Sequence, residues 1–108
     1  SGGDVILRDF VGTARDVLSA RHYLGRLGGD EFVVVLAAEN AVAVALAEQL
    51  RTRIAARSVP FFNYRIRYTV SIGVATCPTA ECSLSSLLHR ADLALYQAKH
   101  HGKNRISA

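Results

Sequence analysis

A diglycine, Gly28-Gly29, sits between two runs of strand-forming residues, and two adjacent carboxylates, Asp30 and Glu31, follow it before Phe32-Val33-Val34-Val35-Leu36. Glycine adopts positive φ at no side-chain cost, so a Gly-Gly pair between such runs predicts a tight hairpin turn. The spacing therefore predicts antiparallel strands over residues 23–27 and 31–37. It also sets two acids at the turn, on the end of a rigid apolar strand. Acids at a surface hairpin often serve solubility alone. The same arrangement lets backbone and carboxylates approach a bound phosphate or metal, and the turn by itself leaves both readings open.

The rest of the chain alternates helix and strand. Asp4 can cap a helix over residues 5–21, with Leu7, Phe10, Val11, Ala14, Val17 and Leu18 on one face. Asn40 is placed to cap a second helix whose stripe is Val42, Leu46, Leu50 and Ile54, with Ala43 and Ala47 filling in. After a connection containing Pro60, residues 64–74 alternate apolar and polar, which predicts one strand with one buried face. Gly73 interrupts that side-chain row and permits close approach of another backbone or a helix. Pro78 closes the strand segment, and Ser83 or Ser85 caps a last helix with Leu84, Leu87, Leu88, Ala91, Leu95 and Ala98 as its stripe. Gly102 ends that helix, and residues 104–106 form a short final strand.

Length and composition bound the class. The 108 residues allow one domain, and an apolar fraction of 50% suffices for a packed core. No apolar run approaches the roughly 18 residues of a membrane span, and no signal peptide pattern is present, so a cytoplasmic domain without direct membrane contact is expected. The net charge is +4, with basic residues gathered at 100–105. That cluster suits either a solvated helix end or an anion site for a nucleotide phosphate. No nucleic-acid role is expected, because no stacking platform is evident. Cys77 and Cys82 are expected to stay reduced, as structural or incidental thiols. His22, His89, His100 and His101 lack metal spacing and read as surface residues, and Ser71 has no His–Asp set of a serine hydrolase.

Gly28-Gly29-Asp30-Glu31-Phe32 resembles the signature of the GGDEF domains, the diguanylate cyclases of bacteria. Further segments agree with that family in order. Gly3-Asp4 is similar to the end of its Gly-His-x-x-Gly-Asp segment, and Arg26-Leu27 precedes the signature as it does there. Thr69-Val70-Ser71-Ile72-Gly73-Val74-Ala75 resembles its penultimate strand. Leu88-His89-Arg90-Ala91-Asp92-Leu93-Ala94-Leu95-Tyr96-Gln97-Ala98-Lys99, with Gly102-Lys103-Asn104-Arg105, resembles its last helix and closing strand. The resemblance covers essentially the whole chain.

The resemblance implies an α+β fold, a nucleotide-cyclase-like βααββαβ sandwich with a central, mostly antiparallel sheet. Here it is incomplete at its N-terminal side. The family's leading strand, with an Asp-x-Asp-x-Phe-Lys pattern and a following Asn-Asp, has no counterpart in this sequence. Residues 1–108 thus read as a partial GGDEF domain lacking its first strand and first helix. Two strands beside the gap would expose unpaired ladder groups, remedied by rearrangement or by pairing with another chain. A second departure is Ser19-Ala20-Arg21-His22, where many active members carry the Arg-x-x-Asp of a product-binding inhibitory site.

The implied reaction condenses two GTP into cyclic di-GMP with release of two pyrophosphates. Phosphoryl transfer of this kind relies on metal ions, here Mg2+ with Mn2+ as an alternative. Asp30 is the implied metal ligand and Glu31 the second catalytic acid. Strand alternation puts adjacent side chains on opposite faces, so one metal is not expected to engage both. Asp4 is implied to read guanine, since one carboxylate accepts from both N1–H and the N2 amino group; a plain N-cap role stays open beside this. Gly28 and Gly29 let the backbone approach the nucleotide, and Lys99 and Lys103 hold the triphosphate as point charges. Arg26 reads as a structural or interfacial charge. Implied partners are GTP, a second GGDEF domain in a homodimer, and a fused sensor or regulatory domain outside this chain. With a metal ligand missing, the chain alone is expected to be inactive. The alternative is a non-catalytic GGDEF-like module that binds GTP or a partner.

Overall fold

The hairpin forms where the diglycine predicts it. In the computed structural model, which describes residues 2–18, 21–77, 79 and 81–108, β1 (His22–Gly28) and β2 (Glu31–Leu36) pair antiparallel, from His22 opposite Leu36 to Gly28 opposite Glu31. A register shift between Arg26 and Gly28 leaves Leu27 as the extra residue of a bulge. β2 is buried on both sides. Phe32, Val34 and Leu36 face α1 (Gly2–Val17) and α2 (Asn40–Ala55), while Val33 and Val35 face α3 (Leu84–His100). Burial on both faces explains why this strand is a continuous apolar run rather than an alternating one.

β5 (Ser71–Thr76) lies beside β2 in parallel, Glu31 opposite Ser71 through Leu36 opposite Thr76, and β6 (Ile106–Ser107) pairs parallel with β5. The sheet order is β1-β2-β5-β6. Only the β1–β2 pair is antiparallel, because a short turn joins those strands, whereas each parallel pair is joined by a helical crossover. The α+β class stands, with helices on both faces of the sheet. The open centre expected of the sheet is not seen. β2 and β5 instead bond to each other along six residue pairs, because buried N–H and C=O groups without partners are costly.

Residues 64–74 are two strands, not one. β3 (Val59–Phe61) and β4 (Tyr64–Ile66) form a separate antiparallel hairpin, and β5 begins only at Ser71. The segment between is held off the sheet by side chains. The Tyr68 hydroxyl donates to Asp9 Oδ2 at 2.7 Å, and Arg57 bonds Asp9 Oδ1 at 2.8 Å and Thr13 Oγ1 at 3.0 Å. Burial first, then the hydrogen bond and charge of Asp9, push the Tyr68 hydroxyl well above the usual phenol range, so it remains a donor. β5 is buried on both faces, so the one-sided burial expected of it does not hold.

The helices start and stop slightly off the expected places. α1 begins at Gly2, which puts Asp4 inside the first turn rather than at the cap, and it closes at Val17, short of Arg21. α2 follows Glu39, so Asn40 is its first residue and not its cap. The buried stripe of α2 is Ala43, Ala47, Leu50 and Ile54, while Val42 is exposed. Ser83 does cap α3, accepting from the Ser86 amide at 3.4 Å, but Leu84 is exposed. Pro78, Ser19 and Ala20 lie outside the described residues. No helix among the described residues is long and apolar enough to cross a membrane.

Cys77 and Cys82 are joined in a disulfide, against the expectation of two reduced thiols. Their Cα atoms lie 6.2 Å apart, within bridging range, where β5 hands over to α3. The bridge closes a short loop, and cross-links of that size stabilise by about 2 kcal/mol. Thermal melts with and without a reductant should differ accordingly, by roughly 10 °C for a domain of this size. Identical melts would show that the link adds nothing to stability.

Candidate functional site

The diglycine turn works by space rather than by backbone handedness. Neither Gly28 nor Gly29 adopts a positive φ; among the glycines that conformation belongs to Gly102, at 120°. A Cβ on Gly28 would come within 2.5 Å of Glu31 Oε1, so glycine makes room for that carboxylate to fold back over the turn. A Cβ on Gly29 would meet nothing within 4 Å, so this side of the turn is open. Arg26 braces the turn from behind, its Nε donating to the Gly28 carbonyl at 3.0 Å and its Nη2 to the Gly29 carbonyl at 2.9 Å. Its sequence reading as a structural charge is thus given a definite object.

Glu31 is the first residue of β2 and shares the face of Val33 and Val35, toward α3. There its Oε2 meets Lys99 Nζ at 3.2 Å. Both groups retain some exposure, so the pair contributes modestly to stability. Beyond α3 the chain reverses through three consecutive positive φ values, Gly102 at 120°, Lys103 at 60° and Asn104 at 46°. This loop is tied to the same end of the sheet. The Asn104 amide donates to Ser71 Oγ at 3.2 Å, the Ile72 amide to the Arg105 carbonyl at 3.0 Å, and the Ser71 amide to the Asp30 carbonyl at 2.9 Å. Arg51 from α2 adds a 3.0 Å bond to Asn104 Oδ1.

The structure therefore brings together Gly28, Gly29, Asp30, Glu31 and Lys99, with Lys103 on the adjoining loop. Asp4 is exposed on the first turn of α1, on the opposite face of the sheet from α3, and is not part of the Glu31–Lys99 pair. Sequence reading missed Ser71 and Arg51. A serine at the head of an otherwise apolar strand was the available signal for the first. Nothing in the sequence pointed to the second, which lies 53 positions from its partner.

No group of three or more His, Cys, Asp or Glu that could hold a metal occurs among the described residues. Magnesium characteristically takes only one or two carboxylates and fills its remaining positions with phosphate oxygens and water. The partly buried Asp30 at an open turn fits that demand, with Glu31 beside it committed to Lys99.

The family model described as "Diguanylate cyclase, GGDEF domain" matches residues 1–105. The chain is 32% identical over 108 residues to diguanylate cyclase A of Treponema denticola, covering 99% of this chain and 29% of that protein. It is 37% identical over 106 residues to a diguanylate cyclase of Vibrio cholerae, covering 95% and 32%. It thus spans about a third of the length of these relatives. Among solved structures, the active GGEEF domain of a diguanylate cyclase from Vibrio cholerae superposes with a TM-score of 0.72 at 30% identity, covering 96% of this chain and 66% of that one. With the signature at the turn, the cationic helix end against it and a family match across nearly its whole length, the chain belongs to the GGDEF domain family of diguanylate cyclases.

Proposed function

We propose that the protein carrying this chain condenses two GTP into cyclic di-GMP, and that the 108-residue chain alone does not turn over. The observation that carries this reading is the contact between Glu31 and Lys99 beside the open diglycine turn. It sets an acid and a cation at one end of the sheet, where a triphosphate needs both metal ligand and counter-charge. Lys99 and Lys103 neutralise the phosphates, and Glu31 holds Lys99 in place before nucleotide arrives. Asp30 is the residue that would hold Mg2+, or Mn2+ in its place. That ion, when bound, supplies charge neutralisation and alignment for attack of a 3′-hydroxyl on an α-phosphorus. For Asp4, which lies apart from the Glu31–Lys99 pair, the guanine-reading role rests on the family resemblance alone. Two such domains must meet face to face, because each holds one of the two nucleotides, and this proximity replaces a costly encounter in water. The setting is cytoplasmic, with a fused regulatory domain supplying the input.

The absence of an Asp-x-Asp-x-Phe-Lys strand pattern from this sequence supports inactivity of the chain alone. It equally supports the second reading, a GTP-binding regulatory module. Incubation with GTP and magnesium followed by nucleotide separation distinguishes them. The chain alone should give no cyclic di-GMP, while the longer protein that carries it should. Product from the chain alone would refute the incomplete metal site, and no product from the longer protein would favour the regulatory module. Lys99→Ala should weaken GTP binding by about tenfold, the usual cost of losing one charge-assisted contact. Unchanged affinity in a titration would remove Lys99 from the phosphate site.

A further inference from the structure

The β3–β4 hairpin takes no part in the site described above, yet it carries a costly feature. Phe61 pairs with Tyr64, so Phe62 and Asn63 form a two-residue turn. Phe62 has a φ of 54°. Glycine, asparagine and aspartate are the usual occupants of that region, and a bulky side chain there is an outlier. Burial gives no compensation, since Phe62 is 88% exposed and Tyr64 70%. Folding alone would select glycine or asparagine at position 62. Strain that packing does not offset points to a function.

The charge of the segment that carries the hairpin is one-sided. No Asp or Glu occurs between Glu48 and Glu81, while Arg51, Arg53, Arg57, Arg65 and Arg67 all fall there. Glu48 pairs with Arg51 and Asp9 with Arg57, whereas Arg53, Arg65 and Arg67 are exposed and have no acid within the segment. Arg65 is anchored to Ser58 Oγ at 2.7 Å and to its carbonyl at 3.1 Å, and Arg67 to the Ala55 carbonyl at 3.5 Å. These bonds hold both guanidinium groups behind the aromatic tip. Each guanidinium carries five N–H donors, so each keeps some for an outside anion.

We infer that this hairpin is a peripheral anchor for an anionic lipid surface. Phe62 and Tyr64 enter the interfacial layer, and Arg65 and Arg67 meet lipid phosphates. At about 3.3 Å per residue, Arg65 lies within roughly 10 Å of the tip, comparable to the depth of the headgroup region. The chemistry favours a bilayer over other polyanions. A stable protein interface buries about 800 Å² on each partner, which a four-residue tip does not offer. The Phe61 and Phe62 rings cross at 68° with centroids 4.8 Å apart, so they present no pair of parallel faces for successive bases. Peripheral contact of this kind needs neither a spanning segment nor a signal peptide, the two features whose absence underlies the expectation of no membrane contact.

Co-sedimentation of the chain with vesicles tests the inference. Binding is expected to vesicles of phosphatidylcholine doped with phosphatidylglycerol at low salt, and not to phosphatidylcholine alone. Phe62→Gly should lower that affinity by about tenfold, the transfer contribution of one aromatic side chain. It should melt no lower than the parent, because glycine accepts the turn conformation. Arg65→Glu with Arg67→Glu should abolish sedimentation while preserving the circular dichroism spectrum. Equal binding to neutral vesicles, no binding to anionic ones, or full binding by Phe62→Gly would each overturn the anchor. Retention of a single-stranded oligonucleotide without vesicle binding would likewise overturn it, in favour of nucleic acid.

Discussion

Gly73→Ala is expected to lower stability by about 3 kcal/mol, the upper part of the range for overpacking a core. For a domain of this size that corresponds to a fall in Tm of roughly 15 °C. A Cβ at position 73 would collide with the Ala91 carbonyl oxygen and the Leu95 amide nitrogen, and would crowd Leu95 Cβ at 2.8 Å. The first two are backbone atoms of α3, so no rotamer change relieves them and the helix must lift from the sheet. That movement opens the cluster of Val33, Val35, Ala75, Leu87, Ala91 and Leu95. It also draws Lys99, one turn beyond Leu95 on α3, away from Glu31. A denaturant titration of the alanine variant measures the loss. A change under about 0.5 kcal/mol, typical of surface substitutions, would mean that α3 does not lie this close to β5.

In the parent protein, Asp30→Ala should reduce cyclic di-GMP formation by roughly 10²–10³-fold, on the scale of removing one charged or polar partner of a transition state. Stability should change by less than about 0.5 kcal/mol. The reason for the split is local. Asp30 supports the fold through its carbonyl, which accepts from the Ser71 amide at 2.9 Å, and alanine keeps that carbonyl. Its side chain stands at a turn whose Gly29 side is open. Turnover and a melting curve measured on the same preparation check both halves. Normal turnover in a stable variant would exclude Asp30 from the metal site, whereas lost turnover with a much lower Tm would assign it a folding role instead.

Much of this arrangement was legible in the residues. The hairpin, the three helices, a serine cap at Ser83 or Ser85, the C-terminal Gly102 and the close approach at Gly73 all follow from periodicity and from what glycine and serine do locally, and the structure chooses Ser83. The contact of Glu31 with Lys99 was not foreseen, since the family resemblance made the first a catalytic acid and the second a holder of the triphosphate. The errors have specific causes. Alternation over residues 64–74 looked like one strand because a two-residue period does not report which partner each half pairs with. Asp4 and Asn40 were assigned as caps, although both lie inside the first turn of their helices. The disulfide was not legible, because spacing alone does not show that two Cα atoms come within bridging distance.

What the sequence by itself determined is local: which segments are helix or strand, where the chain turns, and which family's signature it carries. Those properties depend on side-chain volume, backbone freedom and period, all of which act over a few residues. Only the tertiary structure decided that β2 and β5 pair directly, that Tyr68, Asp9 and Arg57 hold the hairpin apart from the main sheet, and that Arg51 reaches Asn104. These contacts join residues far apart in the chain. They are chosen by competition among all the buried polar groups and apolar faces that need partners at once, and no short window of sequence contains that competition.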